Sequence, residues 1–391
     1  MTTLESLRGN PNALSVHYGR FGVATRLLLT GHSHQAWPDV ALHGQIEAFT
    51  DAASTVDGKW ELAFRKAERL RSAYGDLLGD PGGTIALGAN THELVLRFLS
   101  SVDLVRRPRL VTTDGEFHTL RRQLARLAEE GVEVVRVSAA PVDTLADRVA
   151  AEVNDRTAAV LMSSVLFQTS RIVPNLAVVA ATCEGAGVEL LIDAYHALGV
   201  VPFSAPAEAW VTGGGYKYLQ LGEGNCFLRV PPHAAQLRPV ITGWFAEFED
   251  LAAKASGRVG YASGSDRFAG STYDPTSHYR AGAVLDFFAS QNLTPKFLRE
   301  VSLHQNGLLA ARFDELDAPA DVITRDRSAP REAFGGFLAL TSPRAGELRK
   351  QLAERGVLTD SRGDTLRFGP APYLSDSQLD AAIATLGELV R

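Results

Sequence analysis

The sequence predicts an α/β fold built around a mainly parallel sheet, and three observations carry that expectation. Between Thr84 and Val230, short apolar, β-rich runs alternate with amphipathic stretches of helical period. The runs are apolar at consecutive positions, as in strands buried on both faces. The segments joining them are long enough for the crossover helices that parallel strands require.

Taken in order, Asp39–Thr50 and Glu61–Leu78 read as helices separated by the turn Asp57-Gly58. Strands are expected at Thr84–Leu87, Arg109–Thr113, Val132–Val137, Ala158–Ser163, Val188–Asp193, Ala209–Gly213 and Asn225–Val230. Helices are expected at Glu116–Glu130, Val142–Val153 and Pro174–Gly185, and a further one opens at Asn90-Thr91. Gly257–Ser277 is rich in Gly and Ser and reads as a loop or domain crossing. The remainder reads as an α+β unit. Its helices are Ser277–Ser290, Pro295–Leu316, Pro343–Arg355 and Asp376–Val390, and its strands Asp321–Thr324, Gly336–Thr341 and Thr365–Phe368.

Composition narrows the function classes. The chain has 391 residues, 45% hydrophobic and 21% charged, an ordinary balance for a globular protein with a large core. Its net charge of −6 offers no basic excess for nucleic acid or an anionic membrane. Two cysteines, Cys183 and Cys226, are too few for a disulfide framework and wrongly spaced for zinc. Met1 to Val16 has no apolar core of signal-peptide type, and no window approaches the ~20 apolar residues of a membrane helix. A cytoplasmic protein is expected. Lysine is scarce, six against 33 arginines, so a lysine with a chemical role is one of six.

Lys217 is the lysine with a distinctive setting, Trp210-Val-Thr-Gly-Gly-Gly-Tyr-Lys217-Tyr-Leu. It follows a buried-type strand and a Gly-rich bend, with an aromatic residue on each side. Apolar surroundings disfavour an ammonium ion and make a nucleophilic amine available near neutral pH, which suits a Schiff-base lysine. A lysine snorkelling from a strand end is the alternative. Asp193 ends the run Val188-Glu-Leu-Leu-Ile-Asp193, at the carboxyl edge where α/β sheets bind ligands. There it could cap the next turn or keep the ring nitrogen of a pyridoxal phosphate (PLP) cofactor protonated. His196 stands three residues on. The turn at Asn90-Thr91, between a strand and a helix, offers free N–H groups and a hydroxyl to an anion. No G-x-G-x-x-G or P-loop opens a βα unit, which counts against nucleotide cofactors. Arg367, on a short strand before Gly-Pro-Ala-Pro, can hold a carboxylate through its bidentate fork. His32 and His34 lack a third ligand at useful spacing, and no metal is expected.

Together these segments resemble PLP enzymes of fold type I in the class V aminotransferase group, and kynureninase most closely. Ile192-Asp-Ala-Tyr-His-Ala-Leu-Gly is similar to the family's Asp-x-x-His-x-x-Gly strand end. Gly215-Tyr-Lys-Tyr-Leu219 is similar to its Tyr-Lys-Tyr-Leu motif. Gly243-Trp-Phe245, Ser163 to Thr169 and Leu366-Arg-Phe-Gly-Pro-Ala-Pro372 match in order and rough spacing, over nearly the whole chain.

The resemblance implies the aspartate aminotransferase-like fold: a large domain with a mainly parallel seven-stranded sheet and a small α+β C-terminal domain. Residues 1–30 would pack with the small domain, 31–269 form the large domain and 270–391 the small one. Lys217 would carry PLP and shuttle protons with Tyr216 beside it. Asp193 would meet the ring nitrogen, Phe117 would stack on the ring, and His196 would lie near its edge. Thr91, Ser163 and Tyr216 would bind the phosphate, with Asn90 close by. Trp244 and Thr272 would reach the site of a second subunit, implying a homodimer with shared sites. Arg367 would clamp the substrate's α-carboxylate, with His32 and Ser33 on the substrate side.

The implied activity is hydrolysis or lysis of an amino acid's side-chain bond, of kynurenine or a related β-substituted amino acid. Cysteine desulfurase or C–S lyase, aminotransferase and epimerase are the alternatives, and a non-enzymatic regulator on the same fold is a third class. Four positions depart from the kynureninase pattern. Ser54–Trp60 has no His before its Trp. Thr272 stands for an Asn, Leu120 for an Asp, and Tyr195 for a small residue.

Overall fold

A computed structural model describes residues 2–250 and 257–390. Its centre is a seven-stranded sheet of β2 (Thr84–Gly88), β3 (Arg109–Thr113), β4 (Glu133–Val137), β5 (Thr157–Ser163), β6 (Glu189–Asp193), β7 (Ala209–Gly214) and β8 (Cys226–Val230). The order is β2-β8-β7-β6-β5-β3-β4. All pairs are parallel except those of β8, which runs antiparallel to both β7 and β2. The unbroken apolar runs have a simple cause. Successive residues of β5 and β6 enter two different cores, Val160, Met162 and Ile192 one, Ala159, Leu161 and Leu191 the other.

Helices α3 (Lys59–Leu77), α4 (Thr91–Leu99), α5 (His118–Glu129), α6 (Leu145–Ala151) and α7 (Leu176–Ala186) pack against this sheet. In α3 the buried residues Ala63, Ala67, Leu70 and Tyr74 recur at helical spacing. Asn90 caps α4, accepting from the Glu93 N–H at 3.0 Å. Pairing puts Ser163, Asp193 and Thr212 side by side at the carboxyl ends of β5, β6 and β7. Ser163 and Asp193 of that row line the site.

The C-terminal part carries an antiparallel sheet of β9 (Thr324–Arg325), β10 (Leu338–Thr341), β12 (Asp360–Arg362) and β13 (Thr365–Phe368), in the order β12-β13-β10-β9. Helices α8 (Thr276–Ser290), α9 (Pro295–Glu315), α10 (Ala345–Glu354) and α11 (Asp376–Val390) accompany it. Thr294 caps α9, with Pro295 opening the helix. The N-terminal segment ties to this part. It contains α1 (Leu4–Arg8), and its β1 (Leu27–Leu28) pairs in parallel with β11 (Val357–Leu358). Asn12 Nδ2 donates to the Pro372 carbonyl at 2.9 Å, and Gln378 donates to the carbonyls of Val23 and Arg26. Helix α2 (Val40–Thr55) crosses α8 closely, because a Cβ at Gly44 would lie 2.5 Å from the Tyr279 carbonyl oxygen.

The structure departs from expectation in short pieces. Strands β1, β11 and β12 are two or three residues long, too short to show a period. The strand expected over Asp321–Thr324 is only Thr324–Arg325. The Gly/Ser-rich stretch holds a 3-10 turn, Gly264–Phe268, whose Phe268 is buried 5.1 Å from the Trp210 ring. No helix among the described residues is long and apolar enough to cross a membrane.

Candidate active site

The bend after β7 seats Lys217. The glycines there admit close neighbours. A Cβ on Gly213 would lie 2.8 Å from the Phe227 ring, and one on Gly214 would strike the Tyr195 hydroxyl and lie 3.0 Å from Cys226 Sγ. Lys217 is 6% exposed, and its Nζ stands 2.8 Å from His196 Nε2. Three rings surround the same nitrogen, with centroids at 5.2 Å (Tyr195), 5.6 Å (Phe117) and 5.8 Å (Tyr216). Burial pushes the Lys217 amine down to about 7, only partly offset by the Asp193 charge, so a neutral nucleophile exists at physiological pH.

Asp193 is one strand away. Its Oδ1 accepts from the Tyr195 N–H at 2.8 Å. Burial raises its pKa, with the Tyr195 hydrogen bond and the Lys217 charge opposing. The buried His196 Nδ1 has no hydrogen-bond partner, and burial holds His196 far below its usual range.

A cavity of about 440 Å³ opens over these groups. Asn90, Thr91, Phe117, Ser163, Asp193, His196, Tyr216 and Lys217 all line it, so eight of the thirteen expected site residues meet in one space. Phe117 forms one wall and meets the Phe167 ring edge-on at 5.4 Å. At another wall His34 stacks on Tyr216 at 5.2 Å.

The other five expected residues lie outside the lining. His32 and Arg367 stand one layer back. The His32 ring lies 4.6 Å from Phe337, and Arg367 lies 5.6 Å from Phe337 and 5.9 Å from the lining Phe167. Ser33 is half-buried and its hydroxyl lies 3.1 Å from His34 Nδ1. Trp244 and Thr272 are exposed, Trp244 in an aromatic cluster with Phe245 and Phe248.

Several groups at the site drew no role from sequence. Glu116 is buried beside Ser163. Its Oε1 accepts from Thr113 Oγ1 at 2.6 Å and from the Ser163 N–H at 3.1 Å, and its Oε2 accepts from Ser163 Oγ at 2.6 Å. The Ser163 hydroxyl is thus engaged with Glu116 and stands next to Asp193. Burial pushes Glu116 up to about 7 against these hydrogen bonds. The Tyr195 hydroxyl lies 2.7 Å from Cys226 Sγ. Asp360 binds Arg362 Nη1 through Oδ1 at 2.6 Å and Arg367 through Oδ2, while Arg367 Nη1 donates to the Phe167 carbonyl at 2.6 Å. The one sequence signal for Asp360 and Arg362 was their alternation on a short run before Arg367. For Glu116 it was adjacency to Phe117. Among the described residues no group of three or more His, Cys, Asp or Glu side chains could hold a metal.

Residues 298–386 match the family model described as the kynureninase C-terminal domain. A comparison with curated proteins finds no match. Among solved structures, the cystine C–S lyase C-DES in complex with cysteine persulfide is similar. Its TM-score is 0.82 at 18% identity, over 94% of this chain and 98% of that one. The cysteine desulfurase CsdA from Escherichia coli gives 0.78 at 16% identity over the whole of both chains. A cysteine desulfurase from Thermococcus onnurineus NA1 gives 0.79 at 13% identity over 98% of each. The chain therefore has the aspartate aminotransferase-like fold of PLP-dependent enzymes, with its lysine and aspartate at the carboxyl edge of the large sheet.

Proposed function

We propose that the chain is a PLP-dependent enzyme that cleaves a side-chain bond of an amino acid, and that a C–S bond at the β-carbon is its target. One observation carries the cofactor reading: a dry lysine amine and a buried aspartate, one strand apart, face a cavity walled by an aromatic ring. The residues present fit the group. Lys217 would bind it covalently, Asp193 would face the ring nitrogen, and Phe117 would cover a ring face. Thr91 and Asn90 at the α4 N-terminus, with Tyr216, would take the phosphate. His196, with its unpartnered Nδ1, would lie along the ring edge.

When bound, PLP supplies an electron sink for the carbon bearing the amino group. The protein's own groups then have distinct tasks. Lys217 Nζ, with its lowered proton affinity, takes and returns a proton near neutral pH. Arg367, one layer behind Phe167, would take the α-carboxylate, and the rings of Tyr195, Phe117 and Tyr216 keep water from Lys217 Nζ.

Similarity to a cystine C–S lyase supports lysis ahead of kynurenine hydrolysis. So does the absence of a His before Trp60, which packs into an aromatic cluster with Phe64, Phe245 and Tyr273. Both cysteines are buried in regular elements, Cys183 in α7 and Cys226 in β8, which disfavours a desulfurase that passes sulfur to a mobile cysteine. A kynureninase-type hydrolase is the second reading, favoured by the match over residues 298–386. A homodimer belongs to the same proposal. Exposed Trp244 and Phe248, with Ile46 and Phe49 on α2, offer apolar surface for it, with Thr272 also exposed. The proposed division into 1–30, 31–269 and 270–391 is supported by the placement of the two sheets and by the β1–β11 pairing.

The test is direct. Protein incubated with PLP should turn yellow, and borohydride should fix the cofactor on Lys217. L-cystine or cysteine S-conjugates should then release pyruvate. Release of anthranilate from L-kynurenine without pyruvate from any cysteine derivative would replace lysis by hydrolysis. No uptake, or labelling of another lysine, would overturn the cofactor reading.

A further inference from the structure

Glu116 stands between β3 and α5, one residue before Phe117, and is 2% exposed. Both of its carboxylate oxygens accept hydrogen bonds. Thr113 Oγ1 and the Ser163 N–H share Oε1, at 2.6 and 3.1 Å, and Ser163 Oγ meets Oε2 at 2.6 Å. Thr113 Oγ1 in turn accepts from the Gly115 N–H at 3.1 Å, which closes the turn that carries Glu116. None of these donors is a cation, and Glu116 forms no ion pair among the described residues. Burying a carboxylate without a cation costs stability, so packing alone would favour an apolar or amide side chain here. A buried acid of this kind beside a cavity points to a task at the site.

That task runs through Ser163, which lines the cavity and pairs with Asp193 across β5 and β6. An ionised carboxylate has only acceptor positions, so the Ser163 hydrogen is committed to Glu116 and the lone pairs of Ser163 Oγ remain for the cavity. A phosphate is itself an acceptor, so Ser163 does not suit the phosphate role that its sequence position implied. Two adjacent acceptors, Ser163 Oγ and the Asp193 carboxylate, suit a bound group that carries a proton. The charges around them are few. Burial disfavours an ionised Asp193, while the Tyr195 N–H and Lys217 support it. Burial keeps His196 neutral, and Arg362 and Arg367 share Asp360 one layer back. Glu223, the other acid of the cavity lining, is exposed, its carboxylate 3.6 Å from His34 Nε2. Burial and, less strongly, the Asp193 charge oppose ionisation of Glu116, whereas its three hydrogen bonds favour it. A cationic group bound beside Ser163 and Asp193 would favour it further.

We infer that Glu116 is a positioning residue: it holds the Ser163 hydroxyl so that an oxygen lone pair, and not the hydrogen, faces a protonated group of the bound cofactor. The inference rests on the PLP reading and adds to it a residue behind the cavity wall. Glu116→Gln reverses the arrangement. The Ser163 N–H can only donate, so it keeps the amide oxygen on its own side and leaves the amide N–H facing Ser163 Oγ. Ser163 then accepts that bond, and its hydrogen turns to the cavity.

The experiment uses the PLP-loaded protein and reads the pH midpoint of its visible absorbance in wild type, Ser163→Ala, Glu116→Gln and the double variant. Losing an acceptor weakens a protonated group's hold on its proton. Ser163→Ala should therefore lower the midpoint by about 1 pH unit, a roughly tenfold loss of proton affinity. Glu116→Gln should lower it further, because an acceptor becomes a donor. The double variant should return to the Ser163→Ala value, since without the hydroxyl residue 116 has nothing to turn. A disturbed α5 or a charge acting through space would leave the double variant shifted at least as far as Glu116→Gln, and that outcome overturns the inference. An unmoved or raised midpoint in Ser163→Ala overturns it too, and this variant decides if Glu116→Gln fails to fold. Wild-type protein that takes up no PLP overturns both readings. Protein that loads PLP and titrates alike in all four forms overturns the positioning role alone.

Discussion

The two sides of the cavity control buried charge in opposite ways. At the carboxyl edge of the large sheet, Lys217 has a neutral imidazole and three rings for company, and its amine is pushed down to about 7 by burial. On the face of the small sheet, Arg362 and Arg367 grip one carboxylate. Burial pushes Asp360 up, but the His32 ring 3.7 Å away and the charges of Arg367 and Arg362 hold it well below the usual carboxylate range. Desolvation tunes a proton for chemistry, whereas pairing fixes a charge for recognition. The difference teaches which residues should alter rate and which should alter affinity.

The recognition side breaks most severely. Arg367→Ala removes one partner of Asp360 and the donor to the Phe167 carbonyl. It should weaken binding of a carboxylate probe by about 2–5 kcal/mol. Calorimetry with butyrate measures this, and unchanged affinity would remove Arg367 from substrate recognition. On the chemical side, Gly214→Ala drives a methyl group into the Tyr195 hydroxyl and against Cys226 Sγ. Overpacking of this kind should destabilise the protein by about 1–3 kcal/mol in urea unfolding. A neutral result would mean that Tyr195 moves aside at little cost.

The finest test is the pH dependence of the cofactor-free protein. Lys217 titrates near 7 when folded and near 10.5 when unfolded. Between those values the unfolded chain holds more protons, so the Lys217 contribution makes stability rise with pH through that window. Lys217→Met should flatten the rise in urea titrations at several pH values. If wild type and variant have the same slope, the lysine is not desolvated and the contrast between the two sides fails.

Much of the large sheet was legible because its signal is local. Consecutive apolar residues mark strands whose ends fall within a residue or two of those observed, from Arg109–Thr113 to Cys226–Val230. Lys217 and Asp193 were legible because each ends or follows such a strand. The small-sheet face was not. Asp360 lies on a three-residue strand with no period to read, and its value depends on two arginines and on His32, more than three hundred residues upstream. Glu116 escaped for a related reason. Its partner Ser163 is 47 residues away, and no local pattern signals a carboxylate that will be buried against a serine.

By itself the sequence determined the α/β class, the strand order along the chain and the two ionisable groups that end neighbouring strands, because hydrophobic period and Gly-rich bends are properties of adjacent residues. Only the tertiary structure decided which side chains share the cavity and which stand one layer back. It alone revealed that Asp360 joins the two arginines and that Glu116 holds the Ser163 hydroxyl. Those facts depend on distances between residues remote in the chain, set when the two sheets and their helices pack together.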